Sequence, residues 1–547
     1  MAILHQTVGQ TVRKQASLHP ETEAYVYPES GIRKTYKEFD EETDRLAKAF
    51  IGLGIEKGEH IAIWSDNKRE WLLSQFATGK MGGVLVTVNT SYQTSELEYL
   101  LKQSDSTTLI LGEEFKGSNY IDIINAVCPE LKSSDKGGIR SDKLPNFKRV
   151  IVMSENNYSG IYTWSEFEAF ADGVSDERLE ERFQSMDPDD VINIQYTSGT
   201  TGFPKGVMLT HLNVVNNGKL VGDLMNLTER DRLCIPVPFF HCFGCVLGTM
   251  AAVTHSTTMV IAEQFEPKKV LQMVQDEKCT GLHGVPTMFI AELNHPDFAS
   301  FDTSTLRTGI MAGSPCPIEV MKKVITDMGA SEITIAYGQT ESSPVITQTR
   351  ADDAIEKRVS TVGKPHAEVE VKIIDPATGE TVAVGVPGEL CTRGYHIMKG
   401  YYNNEEATKN AIDPEGWLHT GDIAMEDEDG YIAITGRIKD MVIRGGENIY
   451  PREIEEFLYS HSAIQDVQVV GVPDPKYGEE LMAWIILKEG EKLGAEELRD
   501  YCTGKISRHK IPRYFEFTKD YPMTASGKIQ KFKLRELSIE RTQNSKV

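Results

Sequence analysis

Short β-branched or apolar runs recur along the chain between stretches of helical pattern: HIAIWSDN, GGVLVTVN, TTLILGE, RVIVMSE, TTMVIAEQF and ITIAYGQTE. Parallel strands need a crossover of a dozen or more residues, and a helix supplies it while covering one face of the sheet. The alternation therefore predicts an α/β protein with largely parallel sheets. At 547 residues the chain exceeds what one hydrophobic core organises, so two or more domains are expected. From Val369 the texture changes to strands and turns, VEVKIIDPATGE and GELCTRG, which predicts a small antiparallel or barrel-like subdomain ending near YIAITGRIKD. Beyond Asp440 lies a segment of about a hundred residues, the size of an independent domain. It opens on a helix, YPREIEEFLYSH, with Pro451 in the first turn and Ile454, Phe457 and Leu458 on one face. The expected division is a large body over 1–436, a hinge at 437–440 and a small body over 441–547.

Fifty-eight basic against 81 acidic residues give a formal charge of -23, which opposes nucleic acid and anionic membrane surfaces. A polyanionic ligand must then find a locally basic site. Eight cysteines lie scattered without framework spacing, and the first residues lack a signal-peptide core, so a cytoplasmic protein is expected. The apolar run Leu233 to Val253 is interrupted by Pro236, Pro238 and His241, and reads as a buried strand end followed by a core helix. Cys242 and Cys245 within it have no second Cys/His pair at zinc-finger spacing and read as small core hydrophobes. The polar stretch Pro129 to Asn146 reads as a mobile surface loop.

The stretch YTSGTTGFPKG, Tyr196 to Gly206, combines glycines that let backbone N–H groups approach an anion, hydroxyls that add donors, and a charged Lys205. It is a candidate polyphosphate loop. It is not a Walker A loop, because Lys205 is preceded by Pro204 and followed by Gly206.

This stretch resembles the signature of the adenylate-forming enzymes, the superfamily of acyl-CoA synthetases, nonribosomal-peptide adenylation domains and firefly luciferase. Further motifs of that family follow in order: PFFHCFG, AGSP, AYGQTESSP, STVGKP, GELCTRG, GWLHTGD, GRIKDMVIRGGENIYP and PMTASGKIQK. The resemblance spans almost the whole chain. It implies a large N-terminal domain of two parallel-rich αβ sheets plus a small β-barrel-like subdomain, hinged to a small α/β C-terminal domain that rotates between two half-reactions.

The resemblance also implies roles. Thr197, Ser198, Gly199, Thr200, Thr201, Gly202 and Lys205 would cradle the phosphates of ATP, with Thr200 and Glu341 holding Mg2+, a hard cation with few protein ligands. Gly313, Ser314, Tyr337, Gly338, Gln339 and Thr340 would surround the adenine and phosphate. Asp422 and Arg437 would meet the ribose, and Lys439 would sit at the hinge. Gly445 and Gly446 would flank the pantetheine of CoA. His241 would gate the acid pocket, and Lys528 would bridge the substrate carboxylate and the phosphate as charge shifts. Together Lys205, Arg437 and Lys528 would make a positive focus in an acidic protein.

The reaction implied is attack of a carboxylate on the α-phosphate of MgATP, giving acyl-AMP and pyrophosphate, then displacement of AMP by the thiol of CoA. Small and apolar residues around the expected acid pocket (Gly244, Gly248, Ala251, Gly284, Ala312, Gly313, Val285, Met288, Met311) offer no charge for an α-amino group, which favours a medium- to long-chain fatty acid. The alternatives are an aryl-CoA ligase of the coumarate type, a ligase loading a carrier protein, a luciferase-like monooxygenase and a non-catalytic lipid binder. The expected partners are a carboxylic acid, ATP and CoA, with no nucleic acid and no integral membrane segment, in a monomer or homodimer.

Overall fold

The computed structural model describes residues 3–197, 204–445, 447–524 and 527–544. Two large sheets organise the N-terminal body. One runs in the order 364–365, 345–348, 334–338, 308–311, 281–284, 232–235, 258–261, 23–27, 32–35, with parallel pairing through its centre and antiparallel pairing at both edges. The other runs 400–401, 205–210, 191–197, 84–87, 60–64, 108–111, 149–152, parallel except where the hairpin 191–210 and the short strand Gly400–Tyr401 close one edge. All six runs that signalled βαβ units are strands of these two sheets.

The largest apolar cluster lies between the sheets and takes in helices Val8–Leu18, Tyr36–Gly52, Arg69–Met81 and His211–Leu224. Thr7 and Gln10 cap the first of these reciprocally, satisfying N–H groups that burial would otherwise orphan. Second and third clusters cover the outer faces of the two sheets. Lys80 is fully buried in this body, and its ammonium is met by Asp40, by the Asp40 carbonyl and by Asp44.

The run 233–253 is a strand, Arg232–Ile235, followed by a buried helix that is π-wound over Phe243–Met250 and α-helical over Ala251–Thr254. Among the described residues no helix is long and apolar enough to cross a membrane. All eight cysteines are free and buried. The stretch 129–146 differs from the expected loose loop. Leu131, Ile139 and Leu144 are buried against the outer cluster, so the polar composition hides three apolar pins.

Four strands, Val369–Ile374, Gly388–Gly394, Leu418–Glu426 and Ile432–Arg437, form an antiparallel sheet in open order. The small C-terminal body follows. Its sheet pairs Ile464–Asp474 with Gly478–Leu487, flanked by helices Pro451–Tyr459, Ala495–Cys502 and Lys531–Asn544. Ile454 and Leu458 are buried and Phe457 is half-buried, as the helical spacing predicts. Two apolar clusters are closed entirely by residues of this body.

Candidate functional site

The C-terminal body docks with Lys528 pushed into the large one. Backbone hydrogen bonds on either side hold it: Thr524 N–H donates to the Lys528 carbonyl at 2.7 Å and Gly527 N–H to the Thr524 carbonyl at 3.0 Å. Thr287 Oγ1 of the large body donates to the Gly527 carbonyl at 3.1 Å and anchors the lysine's neighbour across the boundary. The Lys528 stem lies against Gly313, where a Cβ would stand 3.3 Å from Lys528 Cε and 3.1 Å from Val285 Cγ1; Gly313 also has φ +92°, so a side chain there would be strained as well as crowded.

At its tip Lys528 Nζ is 3.1 Å from His241 Nε2. The Phe243 N–H donates to His241 Nδ1 at 3.2 Å, which assigns the ring proton to Nε2, facing the lysine. A neutral amine accepts that hydrogen, whereas an ammonium cannot. Burial first, and the nearby Arg437 charge second, pull the Lys528 pKa down to about 8 from 10.5, against the smaller upward pull of Cys242 and Glu341. Burial and then the Lys528 charge hold His241 well below 6.5, so it is neutral. Val237, Pro238, Phe243 and Val285 complete the apolar cavity at this junction.

Glu341 lies in the short turn Thr340–Ser342 beyond the strand Thr334–Gly338. Its Oε1 accepts the Tyr401 hydroxyl at 2.7 Å, and among the described residues Oε2 has no hydrogen-bond partner. Lys205 Nζ stands 4.4 Å from the centre of the Tyr401 ring, so one aromatic side chain joins the lysine of the candidate phosphate loop to the carboxylate of the YGQTE motif. Tyr401 was missed by sequence reasoning. It reaches the site because Gly400–Tyr401 pairs with the hairpin strand Lys205–Thr210, Val207 opposite Tyr401, a long-range register that no local pattern encodes. Thr197 ends the other hairpin strand, paired with Lys205. Ser198, Gly199, Thr200, Thr201 and Gly202 lie outside the described residues, as does Gly446.

Gly338 has no room for a side chain: a Cβ there would stand 1.8 Å from the Pro344 carbonyl oxygen. Gln339 N–H donates to Ser342 Oγ at 3.1 Å and holds the turn that presents Thr340 and Glu341. Beside them Tyr337 donates to Asp422 Oδ2 at 2.7 Å, and Arg437 Nε is 3.1 Å from Asp422 Oδ1. Asp422 is buried, and that burial raises its pKa against the lowering by Arg437 and Tyr337. Half-buried Ser314 adjoins Gly313 on the loop after Thr308–Met311.

Two groups stand apart. Lys439 is exposed in the turn after Arg437, where Asp440 and Met441 N–H groups donate to the Arg437 carbonyl. Gly445, at φ +62°, donates to the Tyr477 carbonyl at 2.8 Å within the C-terminal body. Its neighbour Arg444 is engaged internally, with Glu480 and the His509 carbonyl. Of the glycines expected as acid-pocket walls, Gly244 and Gly248 have filled space beside them: a Cβ at Gly244 would strike the Pro238 carbonyl at 2.3 Å, and one at Gly248 the Ile235 side chain at 2.9 Å.

This arrangement sets Lys528 near Arg437 and Glu341, with Lys205 joined to Glu341 through Tyr401 and the buried Asp422 held by Tyr337 and Arg437. The AMP-binding enzyme family model matches residues 12–402, and the model of the AMP-binding enzyme C-terminal domain matches 453–528. The chain belongs to the AMP-binding enzymes, among the acyl-CoA synthetases. It is 59% identical over 538 residues to YngI of Bacillus subtilis (strain 168), whose name assigns it provisionally to the acyl-CoA synthetases, covering 98% of both chains. It is 42% identical to the mitochondrial medium-chain acyl-CoA ligase ACSF2 of Bos taurus, covering 97% of this chain and 87% of that one. Among solved structures, the anthranilate CoA ligase AuaEII in complex with anthranoyl-AMP superposes with a TM-score of 0.85 at 26% identity, covering 99% of each chain. As an AMP-binding enzyme of this type it uses ATP, and the expected two-body α/β fold is the one observed.

Proposed function

We propose that this enzyme activates a medium- to long-chain fatty acid as acyl-AMP, releasing pyrophosphate, and then transfers the acyl group to CoA, releasing AMP. One observation carries the reading: Lys528 Nζ stands at the junction of an apolar cavity and the nucleotide groups, 3.1 Å from a neutral histidine. The cavity lining of Val237, Phe243 and Val285 carries no acid to pair an α-amino group, which favours an unsubstituted acid.

In the first half-reaction a carboxylate oxygen attacks the α-phosphorus and pyrophosphate leaves. The incoming carboxylate and phosphates raise the Lys528 pKa further and hold it as the ammonium, which stabilises the charge shifting between them. His241 blocks water on the apolar side and orients the amine. Lys205 neutralises the leaving pyrophosphate. The second carboxylate oxygen of Glu341 suits a hard cation, and Mg2+ there, with Thr200, would neutralise phosphate charge. Asp422 and Arg437 would fix the ribose. In the second half-reaction the C-terminal body turns about 437–440, Lys528 withdraws, and the CoA sulfur attacks the acyl carbon as AMP departs. Gly445 and Gly446 would then line the pantetheine path.

Support comes from the named relatives, one of which is a medium-chain acyl-CoA ligase. The test is AMP and acyl-CoA formation with octanoate, ATP, Mg2+ and CoA, against a series of longer acids and cinnamates. Turnover with aliphatic acids is expected. Turnover of cinnamates alone, or of no acid, would overturn the reading.

A further inference from the structure

Three residues before Asp422, the four-stranded sheet turns a second set of reactive side chains toward one point. Cys391 and His419 are direct cross-strand partners on Gly388–Gly394 and Leu418–Glu426. Glu389 precedes Cys391 by two residues, so the pleat carries it to the same face. His419 Nδ1 lies 3.1 Å from Glu389 Oε2 and 3.5 Å from Cys391 Sγ, and the three atoms all fall within 4.8 Å of one another. In a tetrahedral zinc site with bonds of about 2.0–2.3 Å, ligand atoms stand roughly 3.3–3.8 Å apart. The set is therefore close to a ligand geometry without rearrangement of the strands.

The surroundings suit a cation. The other ring nitrogen of His419, Nε2, faces Asp413 Oδ2 at 3.8 Å, the kind of carboxylate partner that orients a metal-binding imidazole. Cys391 is buried with Ile374 and Trp417, while 32% of the His419 side chain stays exposed and gives an entry from solvent. The nearby cations are committed elsewhere: Lys372 and Arg393 lie over the Trp417 ring, and Arg393 is paired with Glu370. Thiolate, imidazole and carboxylate together select a borderline-soft divalent ion over Mg2+.

We propose that Glu389, Cys391 and His419 form a binding site for one Zn2+-class cation, with a fourth position open to water. Binding replaces the S–H bond of Cys391 with a metal–sulfur bond, and the proton leaves to solvent. The second oxygen of Glu389 accepts the Gly421 N–H at 3.0 Å, so the ion would brace the turn immediately before Asp422.

The experiment titrates Co2+ into the metal-free full chain without ATP or Mg2+. Expected is one equivalent bound, with a thiolate-to-cobalt charge-transfer band and the visible bands of four-coordinate cobalt, all displaced by Zn2+. Cys391→Ser abolishes the charge-transfer band, and His419→Ala weakens binding at least tenfold. Circular dichroism and the metal-free thermal midpoint show that each variant is folded; if Cys391→Ser does not fold, His419→Ala and Glu389→Gln decide. Absence of a charge-transfer band in the wild type, or unchanged spectra and affinity in the variants, overturns the proposal.

Discussion

Raising the pH of the ligand-free enzyme is expected to draw its C-terminal body onto the large one. Docked Lys528 has a pKa of about 8, against 10.5 when solvated. Between those values the docked form holds fewer protons than the undocked form, so the docking constant rises with pH. It is flat below about 8, climbs close to tenfold per unit above it, and levels off beyond the ordinary lysine value. The whole interval corresponds to roughly 3 kcal/mol at about 1.4 kcal/mol per unit. Lys528 still meets some water as a half-buried residue, which screens part of this, so about tenfold is expected between about pH 8 and about pH 9.5. The groups facing the amine fix the sign: His241 is neutral, Arg437 repels a proton, and Cys242 and Glu341 attract one less strongly. The assay is energy transfer between dyes on introduced surface cysteines, one in each body; the native thiols are buried and will not compete. Transfer that is independent of pH, or a Lys528→Met variant that titrates like the wild type, would refute the argument.

Lys528→Met is expected to slow acyl-AMP formation about 100- to 1000-fold, the usual cost of one fixed charge-stabilising group, while thioester formation from supplied acyl-AMP is largely kept; measuring the half-reactions separately checks this. Asp422→Asn should weaken ATP binding roughly tenfold or more, because a charged acceptor shared by Tyr337 and Arg437 becomes a neutral one; calorimetry with AMP reads it directly. Gly338→Ala should lower stability by about 1–3 kcal/mol through overpacking against the Pro344 carbonyl, seen as a reduced thermal midpoint.

The parallel sheets were legible because each strand announces itself as a short apolar run between helical stretches, and the C-terminal helix because Ile454, Phe457 and Leu458 repeat at helical spacing. Lys528, His241, Glu341 and Asp422 were legible only as members of an ordered set of motifs. Alone, each reads as an ordinary surface or core residue. What stayed hidden depends on long-range register. Tyr401 enters the site through pairing with a hairpin some 190 residues away in sequence, a separation that local propensity does not report. The small residues Gly244 and Gly248 looked like pocket walls, yet only three-dimensional contact reveals that the spaces beside them are filled by backbone and by Ile235. The π-winding of Phe243–Met250 likewise has no period that a pattern of apolar residues can signal.

The C-terminal body closes its own apolar clusters and meets the rest through polar anchors such as Arg452 to the Ile434 carbonyl, Thr287 to Gly527, and Lys528 to His241. A unit built this way behaves as an exchangeable cartridge. Grafted after the strand Ile432–Arg437 of a related enzyme, it should fold unaided and bring its lysine along. The acid specificity of such a hybrid would follow the recipient, because among the described residues every wall of the cavity except Lys528 itself belongs to the large body.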